Sequence, residues 1–149
     1  MNRYSPLLKF TKAGKFVMQI GHATQKKSNQ DTTSLWRPAD VFVDRKTNEL
    51  FVADGYGNKR IIVFEADTGE YKRMWGAFGN APEDAAPAPE GAARGGAGRA
   101  ADPDRVPAKE LPPGDQGPSQ FNIVHGVKVS NDGLVYVSDR GRTDGRRAL

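Results

Sequence analysis

The chain copies itself, and that internal repeat narrows its fold more than any other feature. ADVFVDRKTNELFVAD, residues 39–54, and HGVKVSNDGLVYVSD, residues 125–139, align once one residue is removed from the turn of the first. Val41 and Val43 then fall on Val127 and Val129, and Phe51-Val52-Ala53-Asp54 on Tyr136-Val137-Ser138-Asp139. A second pair joins LLKFTKAGKFVMQIG, residues 7–21, to IIVFEADTGEYKRMWG, residues 61–76. It matches Gly14 with Gly69, Phe16 with Tyr71, Ile20 with Trp75 and Gly21 with Gly76. The pairs are spaced by 85 and 55 residues, and the difference of 30 is also the difference between two connectors, residues 22–35 and 77–120. One repeat unit with a variable connector accounts for both pairs.

The unit reads as four short strands. Residues 41–43 lead through a polar turn to 50–53, and residues 61–64 and 71–75 flank Ala66-Asp67-Thr68-Gly69. Strands spaced about ten residues apart with Gly, Asn and Asp turns belong to a sandwich, a barrel or a propeller blade. Leu50-Phe51-Val52-Ala53 and Ile61-Ile62-Val63-Phe64 are apolar at successive positions, so both faces of their sheet need cover. Blades stacked around an axis supply it, and the expected fold class is all-β, a β-propeller fragment of about two blades. Residues 1–80 then hold a half blade and one complete blade, and residues 119–140 the inner half of the next.

Two segments fall outside the repeat. Residues 81–118 are rich in Ala, Pro and Gly with hardly an apolar side chain, and bury too little to offset their ordering entropy. They are expected to be a disordered insertion between blades. A helix over residues 91–101 is disfavoured by four glycines at about 1 kcal/mol each. After Asp139 the template demands an apolar third strand, and GRTDGRRAL offers Ala148 and Leu149 alone. Residues 141–149 therefore read as a non-repeat tail, frayed, truncated or out of frame. End blades so cut expose strand edges and one bare face each, which predicts a poorly stable isolated chain.

Charge separates function classes only weakly. The net +4 lies near the ends: residues 1–35 carry +5 and the last eleven +2, while residues 36–76 balance and residues 77–120 carry −3. A nucleic-acid surface should be a patch on folded structure, so nucleic acid is a disfavoured partner. The absence of cysteine excludes disulfides and thiolate metal sites. No apolar stretch approaches the ~20 residues of a membrane helix, and the N-terminus shows no signal-peptide core, so no membrane partner is expected and localisation stays open.

Asp54-Gly55-Tyr56-Gly57-Asn58-Lys59-Arg60-Ile61 and Phe121-Asn122-Ile123-Val124-His125-Gly126 resemble NHL-repeat β-propellers. Within them they are similar to the branch of peptidyl-α-hydroxyglycine α-amidating lyase and its bacterial relatives. The resemblance covers residues 7–21, 36–80 and 119–140. It implies six blades and a reaction that splits a C–N bond to leave a peptide amide and glyoxylate. It also implies a zinc ion on three histidines with a catalytic tyrosine beside it. Tyr56 stands where that tyrosine follows Asp-Gly, and His125 where one zinc histidine precedes an inner strand. Val124 replaces the usual proline, the other two histidine blades and the family's active-site arginine have no counterpart, and His22 matches no ligand position.

The residues themselves leave alternatives. One imidazole does not hold a catalytic zinc, which needs three protein ligands, so zinc is expected in a complete propeller and not in the isolated chain. His125 suits a strand-start histidine bonded to backbone as well as a metal position, and Tyr56 a rim aromatic as well as a catalytic base. Asp54 and Asp139 each close a strand at a Gly-bearing turn and suit loop locks, with Arg60 placed to pair with Asp54. Trp36 and Trp75 read as blade packing. Two functions follow. One is a segment of a zinc-dependent amidating-lyase-like propeller, inactive alone. The other is a non-catalytic propeller that binds a protein, peptide or carbohydrate. Partners are then the missing blades or further copies of the chain. Three copies whose end halves complete one another would make six blades with three His125 side chains around one axis.

Overall fold

The computed structural model describes residues 5–22, 28–84 and 120–140, and within them the fold is all-β. Strands β1 (Leu7–Phe10) and β2 (Phe16–Ile20) form an antiparallel pair. Strands β3 (Asp40–Asp44), β4 (Glu49–Asp54), β5 (Arg60–Glu65) and β6 (Tyr71–Trp75) form a four-stranded antiparallel sheet in chain order. Strands β7 (Ile123–Val129) and β8 (Val135–Arg140) form a second pair. One four-stranded antiparallel sheet beside two antiparallel pairs is the all-β arrangement consistent with a β-propeller fragment. The segment over residues 91–101 where a helix is disfavoured, most of the expected disordered insertion and the 141–149 tail lie outside the described residues. Among the described residues no helix is long and apolar enough to cross a membrane.

The repeat persists in the register. Asp40↔Ala53, Val41↔Val52, Phe42↔Phe51 and Val43↔Leu50 in the central sheet become Gly126↔Ser138, Val127↔Val137, Lys128↔Tyr136 and Val129↔Val135. Likewise Leu7↔Ile20, Leu8↔Gln19, Lys9↔Met18 and Phe10↔Phe16 reproduce Ile61↔Trp75, Ile62↔Met74, Val63↔Arg73 and Phe64↔Tyr71. Even the irregularity recurs, between Lys9 and Phe10 and between Val63 and Phe64. The β5–β6 turn is one residue longer than the β1–β2 turn, so β1 lies 54 positions before β5 although β2 lies 55 before β6. Gly14 and Gly69 hold the equivalent positive-φ corner, at +81° and +76°.

Both faces of β4 and β5 are covered, as their continuous apolar runs demand. Phe51, Ala53, Ile61 and Val63 pack on one side with Val124, Val127 and Phe121, and Trp75 meets Phe51 edge-on. Val52, Ile62 and Phe64 pack on the other with Ile20 and Leu35. Alternate side chains of β4 and β5 thus enter opposite cores. The two-stranded sheets lie on opposite sides of the central one. Polar contacts tie it to β7: Val127 donates its N–H, and Lys128 its ammonium, to the Asp40 carboxylate at 3.2 and 3.1 Å.

Candidate functional site

The site forms where the loop after β4 meets β7. Its foundation is Asp54, buried at the end of β4. The carboxylate accepts the Trp36 N–H at 2.9 Å, the Asn58 amide at 2.6 Å and the Arg60 Nε–H at 3.1 Å. Burial pushes this carboxyl above its ordinary range, while the Arg60 guanidinium and the three donors pull the other way. Arg60 is itself fully buried and donates onward to the carbonyls of Asn29, Asp31 and Ser34 at 2.8, 2.6 and 2.7 Å. Asn29 closes the array by accepting the Lys59 N–H at 2.6 Å. A buried ion pair holds when its remaining hydrogen-bonding capacity is met, and here backbone carbonyls meet it. The Asp54–Arg60 pairing read from the sequence is present.

The lock recurs in the next unit. Asp139 accepts the N–H groups of Asn122 and Ile123, each at 2.9 Å, as Asp54 does for Trp36. Each aspartate thus ties the end of its second strand to the chain entering its first.

From this base the loop projects Tyr56 between two glycines, which permit close approach rather than an unusual φ. A β-carbon on Gly55 would lie 1.8 Å from the Val124 carbonyl oxygen, and one on Gly57 2.4 Å from Trp36. The loop is thus wedged between its own blade and β7, with the Tyr56 N–H bonded to the Arg37 carbonyl at 3.2 Å. The Tyr56 hydroxyl reaches His125 Nε2 at 2.8 Å, and the rings meet edge to face at 5.5 Å. Arg37, in a left-handed conformation at φ 59°, sets its guanidinium 5.8 Å from the Tyr56 ring centre.

His125 does not open its strand, and its imidazole bonds to a side chain rather than to backbone. It sits within β7 at an irregularity between Val124 and Gly126. The extra residue turns His125 outward while Val124 and Val127 remain in the core. Tyr56 and His125 are both exposed, so the pair lies open to a ligand. A phenol and an imidazole at this separation share a hydrogen bond whose direction is set by the histidine tautomer.

The described residues do not make up a three-histidine zinc site. His125 supplies one imidazole, and its Nε2 is engaged by Tyr56. No three His, Asp or Glu side chains converge among the described residues. His22 is exposed and bonds through its backbone to Thr33. The sequence reading missed Arg37 and Asn29. Neither carries a local signal: Arg37 acts through its backbone geometry, and Asn29 through a partner 30 residues away. Residues 35–64 match the family model of the NHL repeat, a span that runs from β3 to β5 and includes Tyr56, Asp54 and Arg60.

Proposed function

We propose, on the premise that residues 35–64 form an NHL repeat, that the chain is a segment of a propeller resembling peptidyl-α-hydroxyglycine amidating lyase. Tyr56 and His125 are then its proton-handling pair. The supporting observation is the 2.8 Å contact between two exposed side chains 69 positions apart, the same two singled out by the resemblance. The substrate class ends in a carbon bearing a hydroxyl, a carboxylate and an amide nitrogen. Its cleavage removes the hydroxyl proton, breaks the C–N bond as the C=O forms, and returns a proton to the departing nitrogen. A phenol–imidazole pair serves both transfers, and Arg37 sets a cation beside it for the carboxylate. The described residues do not by themselves hold the zinc ion that the resemblance implies, since the one imidazole at hand is engaged by Tyr56, and the proton transfers above use this chain's own side chains.

The test is a peptide ending in α-hydroxyglycine, titrated into the chain while the His125 ring resonances are followed. Binding is expected to shift them, to weaken with Tyr56→Phe and Arg37→Ala, and to fall at least tenfold for the same peptide ending in an amide. Equal affinity for the two peptides overturns the lyase reading. It favours the second function, an NHL propeller that binds a protein, peptide or carbohydrate through its exposed loops, for which the open Tyr56 and Arg37 also speak. Stoichiometric zinc in the chain, lost with His125→Ala, would add to the first reading.

A further inference from the structure

The two outer sheets are halves of the unit that the central sheet shows whole. The β7–β8 ladder repeats β3–β4 pair by pair, and β1–β2 repeats β5–β6. They lie against opposite faces of the central sheet, so they cannot join within one chain. Among the described residues, β1 pairs only with β2 and β8 only with β7, which leaves one backbone edge of each open.

The surfaces beside those edges are apolar. A groove of about 260 Å³ beside β1 is lined by Leu7, Lys9, Ile20, Val41, Val43 and Leu50. Val41 and Val43, on the edge strand β3 of the central sheet, are 42% and 47% exposed. On the C-terminal sheet Tyr136 is 57% exposed, and it holds the position that Phe51 fills in the central core. The turns are complementary in charge: Asp132 lies between β7 and β8, and Lys12 and Lys15 between β1 and β2. In the central sheet the corresponding turns touch, the Ala66 N–H donating to the Asn48 carbonyl at 2.8 Å. Gly133 takes the place of Asn48, and both have positive φ.

We infer that β7–β8 of a second copy of this chain fills the groove, with β8 pairing antiparallel to β1 in the register of β4 and β5. That register, read from Phe51↔Val63, Val52↔Ile62 and Ala53↔Ile61, sets Tyr136 opposite Lys9, Val137 opposite Leu8 and Ser138 opposite Leu7. Tyr136 then covers Val41 and Val43, and Asp132 meets the lysines of the β1–β2 turn. The contact is head-to-tail, so it closes into a ring when the rotation allows. The described strands of one chain's C-terminal pair and its neighbour's N-terminal pair then complete a four-stranded sheet like β3–β6. The inference is independent of the lyase reading, because it uses neither Tyr56 nor His125.

The test uses the whole chain. Light scattering is expected to give a mass of two or more chains at micromolar concentration, and Tyr136→Asp or Val43→Asp is expected to give one. Both side chains are about half exposed in the single chain, so each variant keeps its strand circular dichroism. The chain has no cysteine, so register is read by mixing two variants. Lys9→Cys and Tyr136→Cys are expected to cross-link on mild oxidation, since directly opposed residues bring their β-carbons within about 5.5 Å. Leu8→Cys, one position out and on the other face, is expected not to cross-link with Tyr136→Cys. A single-chain mass overturns the inference. So does an assembly that survives Tyr136→Asp, or cross-linking that is indifferent to register.

Discussion

Gly55→Ala probes the junction on which both the core and the site depend. The added β-carbon would lie 1.8 Å from the Val124 carbonyl oxygen and 2.5 Å from its carbonyl carbon and nitrogen. Ordinary nonbonded separation is about 3.5 Å, so β7 must retreat by about 1.5 Å. These contacts are backbone, and no rotamer change relieves them. Gly55 does not have a positive φ, so alanine adds no dihedral strain of its own. Retreat of β7 loosens Val124 and Val127, both fully buried against Phe51, Ala53, Ile61 and Val63. Full exposure of a valine costs roughly 1.5–3 kcal/mol, and partial loss at two gives about 3 kcal/mol. The same movement carries the 2.8 Å Tyr56–His125 bond beyond hydrogen-bonding range. Urea unfolding followed by tryptophan fluorescence measures the first effect. The cycle with Tyr56→Phe measures the second, because the phenol has nothing left to lose once the bond is broken. Gly14→Ala is the control: its φ is +81° and nothing lies within 4 Å of the new carbon, so it costs about 1 kcal/mol of strain alone. If Gly55→Ala unfolds within 0.5 kcal/mol of the parent, or leaves the Tyr56→Phe effect intact, the junction is not wedged as described.

Glu49 supplies a pH signature. Hydrogen bonds from Arg73 at 2.6 and 2.8 Å, helped by Lys72 and opposed by burial, hold its carboxyl at about 2 against an ordinary 4.5. The folded value is the lower one, so the stabilisation is complete above the ordinary value and lost as pH falls from about 4.5 toward 2. Each pH unit of that gap is about 1.4 kcal/mol, and solvent around the half-exposed Arg73 cuts the sum to about 1–2 kcal/mol. Thermal melts between pH 2 and 7 should show a shallower acid slope for Glu49→Gln than for the parent. Arg60→Lys keeps the charge but loses the fork that spans three carbonyls and Asp54, and should cost about 3 kcal/mol in urea unfolding. Asp139→Ala frees the N–H groups of Asn122 and Ile123 and should cost about 1–2 kcal/mol, with hydrogen exchange at those two amides rising first.

The blade pattern was legible in the sequence because alternation and turn chemistry are local. Leu50 to Ala53 and Ile61 to Phe64 announced two covered faces, and Gly14 and Gly69 announced equivalent corners. The Asp54–Arg60 pair was legible for the same reason, since only a five-residue loop separates the two positions. The site was legible as residues and not as geometry. Tyr56 and His125 were singled out by the resemblance alone, and their contact depends on two glycines that admit neighbouring backbone. It also depends on an extra residue in β7 that turns the imidazole outward. No local pattern encodes those close approaches. Arg60 shows the same boundary: its carboxylate partner was foreseeable, and the three carbonyls it gathers from residues 29–34 were not.

The long connector begins and ends at one place. Gln120 accepts from the Glu83 N–H and donates to the Ala81 carbonyl, each at 3.0 Å, and Asp84 accepts from Asn29 and Ser28. The two anchor points are thus fastened to the scaffold before the intervening chain is counted. Doubling the length of such a loop changes its closure entropy by only about 0.6 kcal/mol. The adjoining anchors at Asp84 and Gln120 therefore make a graft port, where a reporter peptide or a small folded cassette with adjacent termini can enter the chain and leave the strands on either side in register.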